Sequence, residues 1–294
     1  MASWKRGDTS NSRMVNVFKT AIYSGIKTLY GYHKYRYQDG AVRRAAYRLL
    51  GEVHIPARIR AGHALRFLRR EGLLGRNSLR YLDAGSGKGD MAFHLASLNP
   101  TWRVKGVELD ASKVERCRAL APHYGLHNVE FMQGNLLDLL FENNFDLITS
   151  MDVLEHIEDD QRVLKNFHQA LAHGGTLILT FPSDPQYPHL KWVSVRDRRK
   201  GISLQDSGHL RTGYHPHSIR RKLQQEGFAD IDVRYTFGWP GTRAFDIFFL
   251  LGDSNPNPIL FFICLPLLLI LGRLDLVGQH QLGSALIVKA VKPR

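Results

Sequence analysis

The chain has 294 residues, with 40 lysines and arginines against 27 acidic residues and a formal net charge of +13. A chain of this length buries a sizeable core and is long for one nucleotide-binding domain. Its two cysteines, Cys117 and Cys264, form no spacing pattern. Neither a disulfide framework nor a cysteine zinc site is therefore indicated, which fits a reducing compartment.

The positive charge is concentrated towards the N-terminus. Residues 1–80 contain 17 Lys and Arg and 4 Asp and Glu, so they hold the whole excess of +13. Apolar side chains recur at helical spacing in residues 14–30, tyrosines alternate with basic residues in 30–37, and no apolar run has the length of a secretory signal. Residues 1–78 are predicted to be a basic helical extension. It either binds phosphate on a membrane or nucleic acid, covers the ligand site as a lid, or is only a solvated helical face.

The first strand of the core is predicted at residues 79–83, and a glycine-rich turn (GSGKG, residues 85–89) leads from it into a helix at 91–98. Glycines at alternate positions let the backbone turn sharply and approach a ligand closely. The turn lacks the third glycine of the dinucleotide fingerprint, because position 90 is Asp90, and it lacks the Ser or Thr of a phosphate loop. Carboxylates at Asp83 and Asp90 favour a ligand that carries positive charge.

Strands and helices continue to alternate as far as residue 181. This alternation predicts an α/β fold with a parallel, doubly wound sheet whose ligands bind at the carboxyl ends of the strands. Four polar residues stand at or just beyond such ends: Asp83, Glu108, Asn135 and Ser150. The topology, rather than proximity in sequence, is expected to bring them together.

Five segments in this order resemble the motifs of class I S-adenosylmethionine (SAM)-dependent methyltransferases of the small-molecule, type 11-like kind. They are residues 83–89, 107–110, 133–136, 145–157 and 174–182. The resemblance covers roughly residues 79–237 and 284–292. It implies a Rossmann-like, doubly wound, mostly parallel seven-stranded sheet with SAM as the cofactor, and it makes residues 79–238 the SAM-binding core.

The resemblance also implies the residues of the SAM site. Asp83 would hold the amino group of the donor, and Glu108 would hold its ribose. Asn135, where the family usually has an acid, would meet adenine, and Ser150 would lie near the methionine portion. The implied cofactor-binding residues are Asp83, Gly85, Ser86, Gly87, Gly89, Glu108, Leu109, Asn135, Leu136 and Ser150.

Histidines follow the fourth strand and recur in the long loop over residues 182–217. A phenol, enol or amine acceptor must lose a proton, which a histidine can take near neutral pH. By resemblance His156 is the best-placed base, and His209 and His215 come next; each is also compatible with only shaping the pocket. The histidines show no spacing typical of metal ligands, so no metal is expected.

Residues 239–279 are extra to a minimal enzyme of this kind. Two apolar arms, 244–251 and 259–271, flank a polar turn, and each is shorter than the roughly 20 residues of a transmembrane helix. The pattern predicts a hairpin that dips into one leaflet. The alternatives are a core helix pair and a homo-oligomer interface through 244–271. Residues 280–294 then complete the core with its last strand.

These features predict a cytoplasmic, peripherally membrane-associated methyltransferase. It would methylate a small lipid-like or quinone-type acceptor at an anionic membrane surface, with SAM as donor. Two alternatives stay open: an RNA methyltransferase that uses the basic N-terminal arm, and a non-catalytic SAM-binding scaffold. The stretch Ser150-Met151-Asp152-Val153 lacks the Asn/Asp-Pro-Pro-aromatic signature of amino-methylating nucleic-acid enzymes, which disfavours the first. The intact glycine motif disfavours the second.

Overall fold

The computed structural model describes residues 54–193, 209–252 and 258–294. The amphipathic pattern of residues 14–30 and the alternating tyrosines of residues 30–37 lie outside this described part. The predictions made from those two segments therefore stay predictions.

A seven-stranded sheet forms the centre of the fold. Its strands are β1 (Arg80–Ala84), β2 (Arg103–Glu108), β3 (Val129–Gln133), β4 (Phe145–Met151), β5 (Leu171–Pro182), β6 (Ala229–Thr236) and β7 (Ala285–Val291). Their order across the sheet is β3-β2-β1-β4-β5-β7-β6. Neighbours among β1 to β5 pair in parallel, whereas β7 pairs antiparallel with both β5 and β6. The predicted Rossmann-like, mostly parallel, seven-stranded fold is confirmed.

Helices cover the sheet and follow its strands. In the described residues they are α1 (Ile55–Arg70), α2 (Asp90–Leu98), α3 (Ala111–His123), α4 (Asp160–Ala170), α5 (Pro216–Gln225), α6 (Trp239–Leu250) and α7 (Pro258–Val277). Because both faces of the sheet are covered, successive strand residues such as Tyr81 and Leu82 are both fully buried. The strand order reverses between β1 and β4, which opens a crevice at the carboxyl ends of the strands.

Helices α1, α6 and α7 pack against one another as a layer of their own. Two glycines allow α1 and α7 to approach closely. A Cβ on Gly62 would lie 2.7 Å from the Leu276 side chain, and a Cβ on Gly272 would lie 3.3 Å from the Ile59 side chain. The close α1–α7 contact therefore depends on the absence of a side chain at Gly62, because a Cβ there would require the Leu276 side chain to shift.

Helix α7 is longer than the sequence pattern predicted. The apolar arm was expected to end at Leu271, but the helix continues to Val277 and passes through Pro266 without a break. By length and composition, Ile259–Val277 could cross a membrane, and only 39% of that stretch is buried. The predicted arm ended at Leu271 because polar residues follow it in the sequence. One of these residues, Asp275, is fully buried and lies within the helix.

The Asp275 carboxylate, near the end of α7, is bonded to residues of α1, of the segment between β6 and α6, and of the loop after α7. Its oxygens accept hydrogen bonds from four groups: the backbone N–H of Phe237 and of Gly241, each at 3.1 Å, and the rings of His63 (2.8 Å) and His280 (3.1 Å). Burial alone would raise the pKa of Asp275, but the bonds from the two histidines hold it well below its usual value. A charged network thus links α7 to α1 and to the turn before α6.

The other side of α7 exposes an apolar face. The buried side of the helix contributes Phe261, Leu265, Leu268, Leu271 and Leu276 to the interior. The exposed apolar face, as the term is used below, consists of Ile259, Leu260, Phe262, Ile263, Leu267, Ile270, Leu274 and Val277. Eight large apolar side chains on one helix exceed the scattered exposure that is normal for a soluble monomer.

Candidate functional site

The glycine turn between β1 and α2 has the backbone geometry that the sequence predicted. Gly85, Gly87 and Gly89 have φ angles of +77°, +55° and +76°, a region that favours glycine. A Cβ on Gly85 or Gly89 would meet packed side chains, but nothing lies within 4 Å of a Cβ on Gly87. The turn therefore presents open space at Gly87, where a ligand can approach the backbone.

Glu108, at the end of β2, reaches across this turn. One carboxylate oxygen accepts a hydrogen bond from the Gly87 N–H at 2.8 Å, and the other accepts one from the Asp110 N–H at 3.2 Å. The Lys113 ammonium lies 3.6 Å away. The carboxylate is thus fixed at the mouth of the glycine turn, where its remaining lone pairs can accept bonds from a pair of hydroxyl groups.

Asp83, at the end of β1, lies beneath the turn rather than in the open crevice. It is 3% exposed and accepts hydrogen bonds from the Ala92 N–H at 3.1 Å and the Thr149 hydroxyl at 3.2 Å. Burial raises the pKa of Asp83 to about 7, although these hydrogen bonds oppose the shift. A cationic ligand above the turn would favour the ionised form.

The other predicted cofactor residues surround the same crevice. The Asn135 side chain caps the turn Leu136–Asp138 by accepting a hydrogen bond from the Leu137 N–H at 3.0 Å, and Leu109 is 66% exposed. Ser86 and Ser150 are buried, and neither hydroxyl has a hydrogen-bond partner among the described residues. Buried hydroxyls of this kind are available to a bound ligand. The roles of these residues stay predictions.

A second group of polar side chains lies after β4. Glu155 and His156 belong to the short helical turn Leu154–His156, and His209 comes from the loop before α5. The rings of His156 and His209 lie edge to face with their centroids 4.7 Å apart. One ligand atom from each of Glu155, His156 and His209 lies within 4.8 Å of the others. We call these three residues the Glu-His-His cluster.

Arg211 holds the His209 loop in place. Its guanidinium donates to the Asp160 carboxylate and the Tyr214 hydroxyl, and it also donates to the Ile157 carbonyl at 2.9 Å. The backbone N–H of Leu210 donates to the Glu155 carbonyl at 3.0 Å. The position of His209 beside Glu155 is therefore set by a hydrogen-bond network rather than by a chance loop conformation.

Asp152, next to the cluster, has a basic partner, whereas the carboxyl group of Glu155 has no hydrogen-bond partner among the described residues. Glu155 is fully buried, and neither of its carboxylate oxygens has a hydrogen-bond partner among the described residues. Burial, and to a smaller extent the charge of Asp152, raises the pKa of Glu155 to about 8. Asp152 has a φ of +54° and pairs with Arg60 of α1 at 2.5 Å. Burial also lowers the pKa of His209, as does the nearby His156.

His215 has a different place in the structure. Its ring accepts a hydrogen bond from the His217 N–H at 3.2 Å and so caps α5, and the residue is exposed. The prediction of a catalytic His215 therefore finds no support in this geometry, because the ring serves the helix end.

The expectation that the histidines provide no metal ligands stays a prediction, but the fold brings together the Glu-His-His cluster, whose residue types can hold a metal ion. Sequence spacing could not reveal it, since His209 lies far from the other two residues along the chain. No sequence motif assigned a role to Glu155 or Arg60. For Glu155, the sequence offered one signal of a functional role, an acidic residue next to His156 in an otherwise apolar turn. For Arg60 the sequence offered no such signal, because only the packing of α1 brings this residue to Asp152.

Comparisons with known proteins agree with this geometry. Residues 76–207 match a family model described as "Methyltransferase domain". Demethylmenaquinone methyltransferase of Lactococcus lactis is 33% identical over 115 residues, which cover 38% of this chain and 46% of that protein. The protein of the same name from Listeria welshimeri is 31% identical over 114 residues, with coverages of 38% and 48%. The chain thus spans about half the length of the curated relatives it matches.

Solved structures show the same fold at lower sequence identity. Phosphoethanolamine N-methyltransferase 2 of Haemonchus contortus, in complex with S-adenosyl-L-methionine, is 20% identical with a TM-score of 0.52; the match covers 78% of this chain and 52% of that one. The [4+2]-cyclase SpnF is 17% identical with a TM-score of 0.51, covering 76% and 81%. Because one fold serves both activities, these likenesses establish architecture alone.

Proposed function

Because residues 76–207 match a family model described as "Methyltransferase domain", we propose that the chain is a class I SAM-dependent methyltransferase that transfers a methyl group from SAM to a small acceptor. We propose further that the acceptor is lipid-like, of the quinone type, and is met at a membrane surface.

The donor side of the proposal rests on the crevice at the glycine turn. SAM carries a cationic sulfonium and an ammonium group. The crevice offers the Glu108 carboxylate and open backbone at Gly87, and the buried Asp83 carboxyl group lies beneath the turn. In our proposal Glu108 exchanges its bond to the Gly87 N–H for the ribose hydroxyls. Methyl transfer is an in-line displacement, so the protein contributes mainly alignment and proximity.

The observation that carries the acceptor class is the exposed apolar face of α7. Helix α7 packs on α1, and α1 brings Arg60 to Asp152, next to the Glu-His-His cluster. A lipid layer against α7 would therefore lie close to the acceptor side of the crevice. The relatives named demethylmenaquinone methyltransferase support an apolar, prenylated acceptor.

The contacts of α7 favour a helix that lies along a membrane rather than across it. Asp275 is bonded to His63 at 2.8 Å, and Arg66 donates to the Leu276 carbonyl. A spanning orientation would break these contacts, whereas a helix at the interface keeps its buried side on the protein. The excess of 17 basic over 4 acidic residues in 1–80 would add electrostatic attraction to an anionic surface.

The acceptor must lose a proton when a hydroxyl or enol carbon is methylated. His209 has a lowered pKa and is therefore neutral near pH 7, the state that can accept a proton. His156 is exposed beside it. In this proposal the two rings take up the acceptor proton.

A radiolabel assay tests the proposed function. The full chain is incubated with SAM that carries a labelled methyl group and with one of three acceptors: reduced demethylmenaquinone in anionic vesicles, a short-chain soluble naphthoquinol, or RNA. We expect label in the prenylated quinol, less in the soluble analogue, and none with the Gly87→Val variant. Label in RNA alone would support the nucleic-acid alternative, and no label in any acceptor despite SAM binding would support the scaffold.

A further inference from the structure

The Glu-His-His cluster has the composition of a metal site. We propose that Glu155, His156 and His209 bind a divalent transition metal ion of the Zn²⁺ class, at the acceptor side of the crevice.

The ligand atoms are already close to one another. One donor atom from each residue lies within 4.8 Å of the other two. Tetrahedral coordination by imidazole nitrogen and carboxylate oxygen, with bonds of about 2.0–2.2 Å, places donor atoms about 3.4 Å apart. Rotation of the exposed His156 ring about its side-chain bonds is the motion that closes the difference, since Glu155 is buried in place.

The buried carboxyl group of Glu155 needs a partner that the described protein does not supply. The residue is fully buried, and both of its oxygens lack a hydrogen-bond partner in the described part of the chain. The Nδ1 atom of His209 is buried and without a partner there as well. A carboxylate and an imidazole nitrogen that face one site unpaired are costly, and a bound cation removes both costs together.

The neighbouring arginines do not take the place of this cation. Arg60 pairs with Asp152 at 2.5 Å, and Arg211 is bonded to Asp160. Each guanidinium therefore already faces a carboxylate of its own. Neither guanidinium forms an ion pair or hydrogen bond with the Glu155 carboxyl group in the described part of the chain, although the positive charges of both lower its pKa to a small extent.

A hydrogen bond and adjacency in sequence hold the backbone of the cluster together. Glu155 and His156 are on consecutive positions of one turn, and Leu210, next to His209, is bonded through its N–H to the Glu155 carbonyl at 3.0 Å. Two histidines with one carboxylate are a ligand set typical of Zn²⁺, Fe²⁺, Mn²⁺ and Co²⁺ sites that keep positions open. Mg²⁺ and Ca²⁺ prefer oxygen ligands and are disfavoured here.

The chemical consequence of this site rests on the proposed function. A metal at this position would bind the acceptor hydroxyl at an open coordination position and lower its pKa, so that its proton leaves to solvent before methyl transfer. In the metal-loaded protein, His156 and His209 are then ligands rather than the proton acceptor.

Metal binding is measured without acceptor or SAM, so its outcome is independent of the proposed function. The full chain is treated with a chelator, dialysed, and titrated with Co²⁺, whose visible absorption reports coordination, and then with Zn²⁺ in competition. We expect one equivalent of Co²⁺ with d–d bands that Zn²⁺ displaces. Glu155→Gln and His209→Ala should each weaken binding by more than about 100-fold, because loss of a ligand costs more than loss of an outer partner.

The control variant is His217→Ala. His217 is exposed and stacks on His215 with centroids 5.4 Å apart, so this pair is the obvious competing surface site. Binding should be unchanged in His217→Ala, and circular dichroism should show each variant to be folded. Absence of tight Co²⁺ binding by the wild type overturns the proposal. Loss of binding in His217→Ala with retention in His209→Ala would do the same.

Discussion

The exposed apolar face of α7 gives the most quantitative prediction. A triple variant, Ile263→Ser, Leu267→Ser and Ile270→Ser, removes side chains that are 69, 49 and 58% exposed. Full burial of such a side chain contributes about 1.5–3 kcal/mol, so transfer of these exposed portions into lipid would contribute about 3–5 kcal/mol in total. At about 1.4 kcal/mol per factor of ten, vesicle binding should weaken about 100- to 4,000-fold.

Flotation with anionic vesicles measures this loss. Leu140→Ser is the matched control, because Leu140 is 93% exposed but lies between β3 and β4, away from α7. Wild type and control should float, and high salt should weaken their binding without abolishing it, whereas the triple variant should keep only salt-sensitive binding. The reasoning is refuted if wild type stays at the bottom of the gradient as a dimer and the triple variant is monomeric, since α7 is then a subunit interface.

Three further predictions concern single residues. His156→Ala should lower turnover by about two to four orders of magnitude and leave SAM affinity nearly unchanged, in kinetics paired with calorimetry; equal losses of both would make the residue structural. Asp83, whose pKa is about 7 in the folded protein against about 3.9 when unfolded, holds an extra proton between these values. The stability of the SAM-free protein should therefore fall from about pH 4 to pH 7, and thermal unfolding of Asp83→Asn should lack this slope. Asp275→Ala should lower the free energy of unfolding by about 3–5 kcal/mol in denaturant titrations, because it leaves its buried partners unpaired; a loss below about 1 kcal/mol would contradict the network.

The parts of the fold that local pattern determines were predicted closely. The strand expected at residues 103–108 is observed as β2, Arg103–Glu108, in which Val104, Gly106 and Val107 are buried and Arg103 is exposed. Its place in the regular alternation of strands and helices, rather than a continuous apolar run, made it predictable. The glycine turn was equally clear, since positive φ angles at alternate positions demand glycine. The position of β7 between β5 and β6 has no local signature and was not predicted, since the family resemblance implied only that a seventh strand completes the core.

Features that depend on tertiary contacts were missed. The end of α7 was misjudged because Asp275, polar in the sequence, is buried among bonds from α1 and the β6–α6 turn. The Glu-His-His cluster was missed because His209 is brought to Glu155 by the bonds of Arg211, which no spacing rule describes. Contacts between residues far apart in sequence have to be seen in the folded chain.

The central claim is that the crevice at Gly85–Gly89 holds SAM. Calorimetric titration of the wild type and of Gly87→Val with SAM tests it most directly. A Cβ at Gly87 would meet no described protein atom within 4 Å, but valine at a φ of +55° strains the turn, so circular dichroism must first show that the variant is folded. We expect a dissociation constant of micromolar order for SAM binding by the wild type and no detectable SAM binding by folded Gly87→Val. Undiminished binding by folded Gly87→Val, or no binding by the wild type, would contradict it.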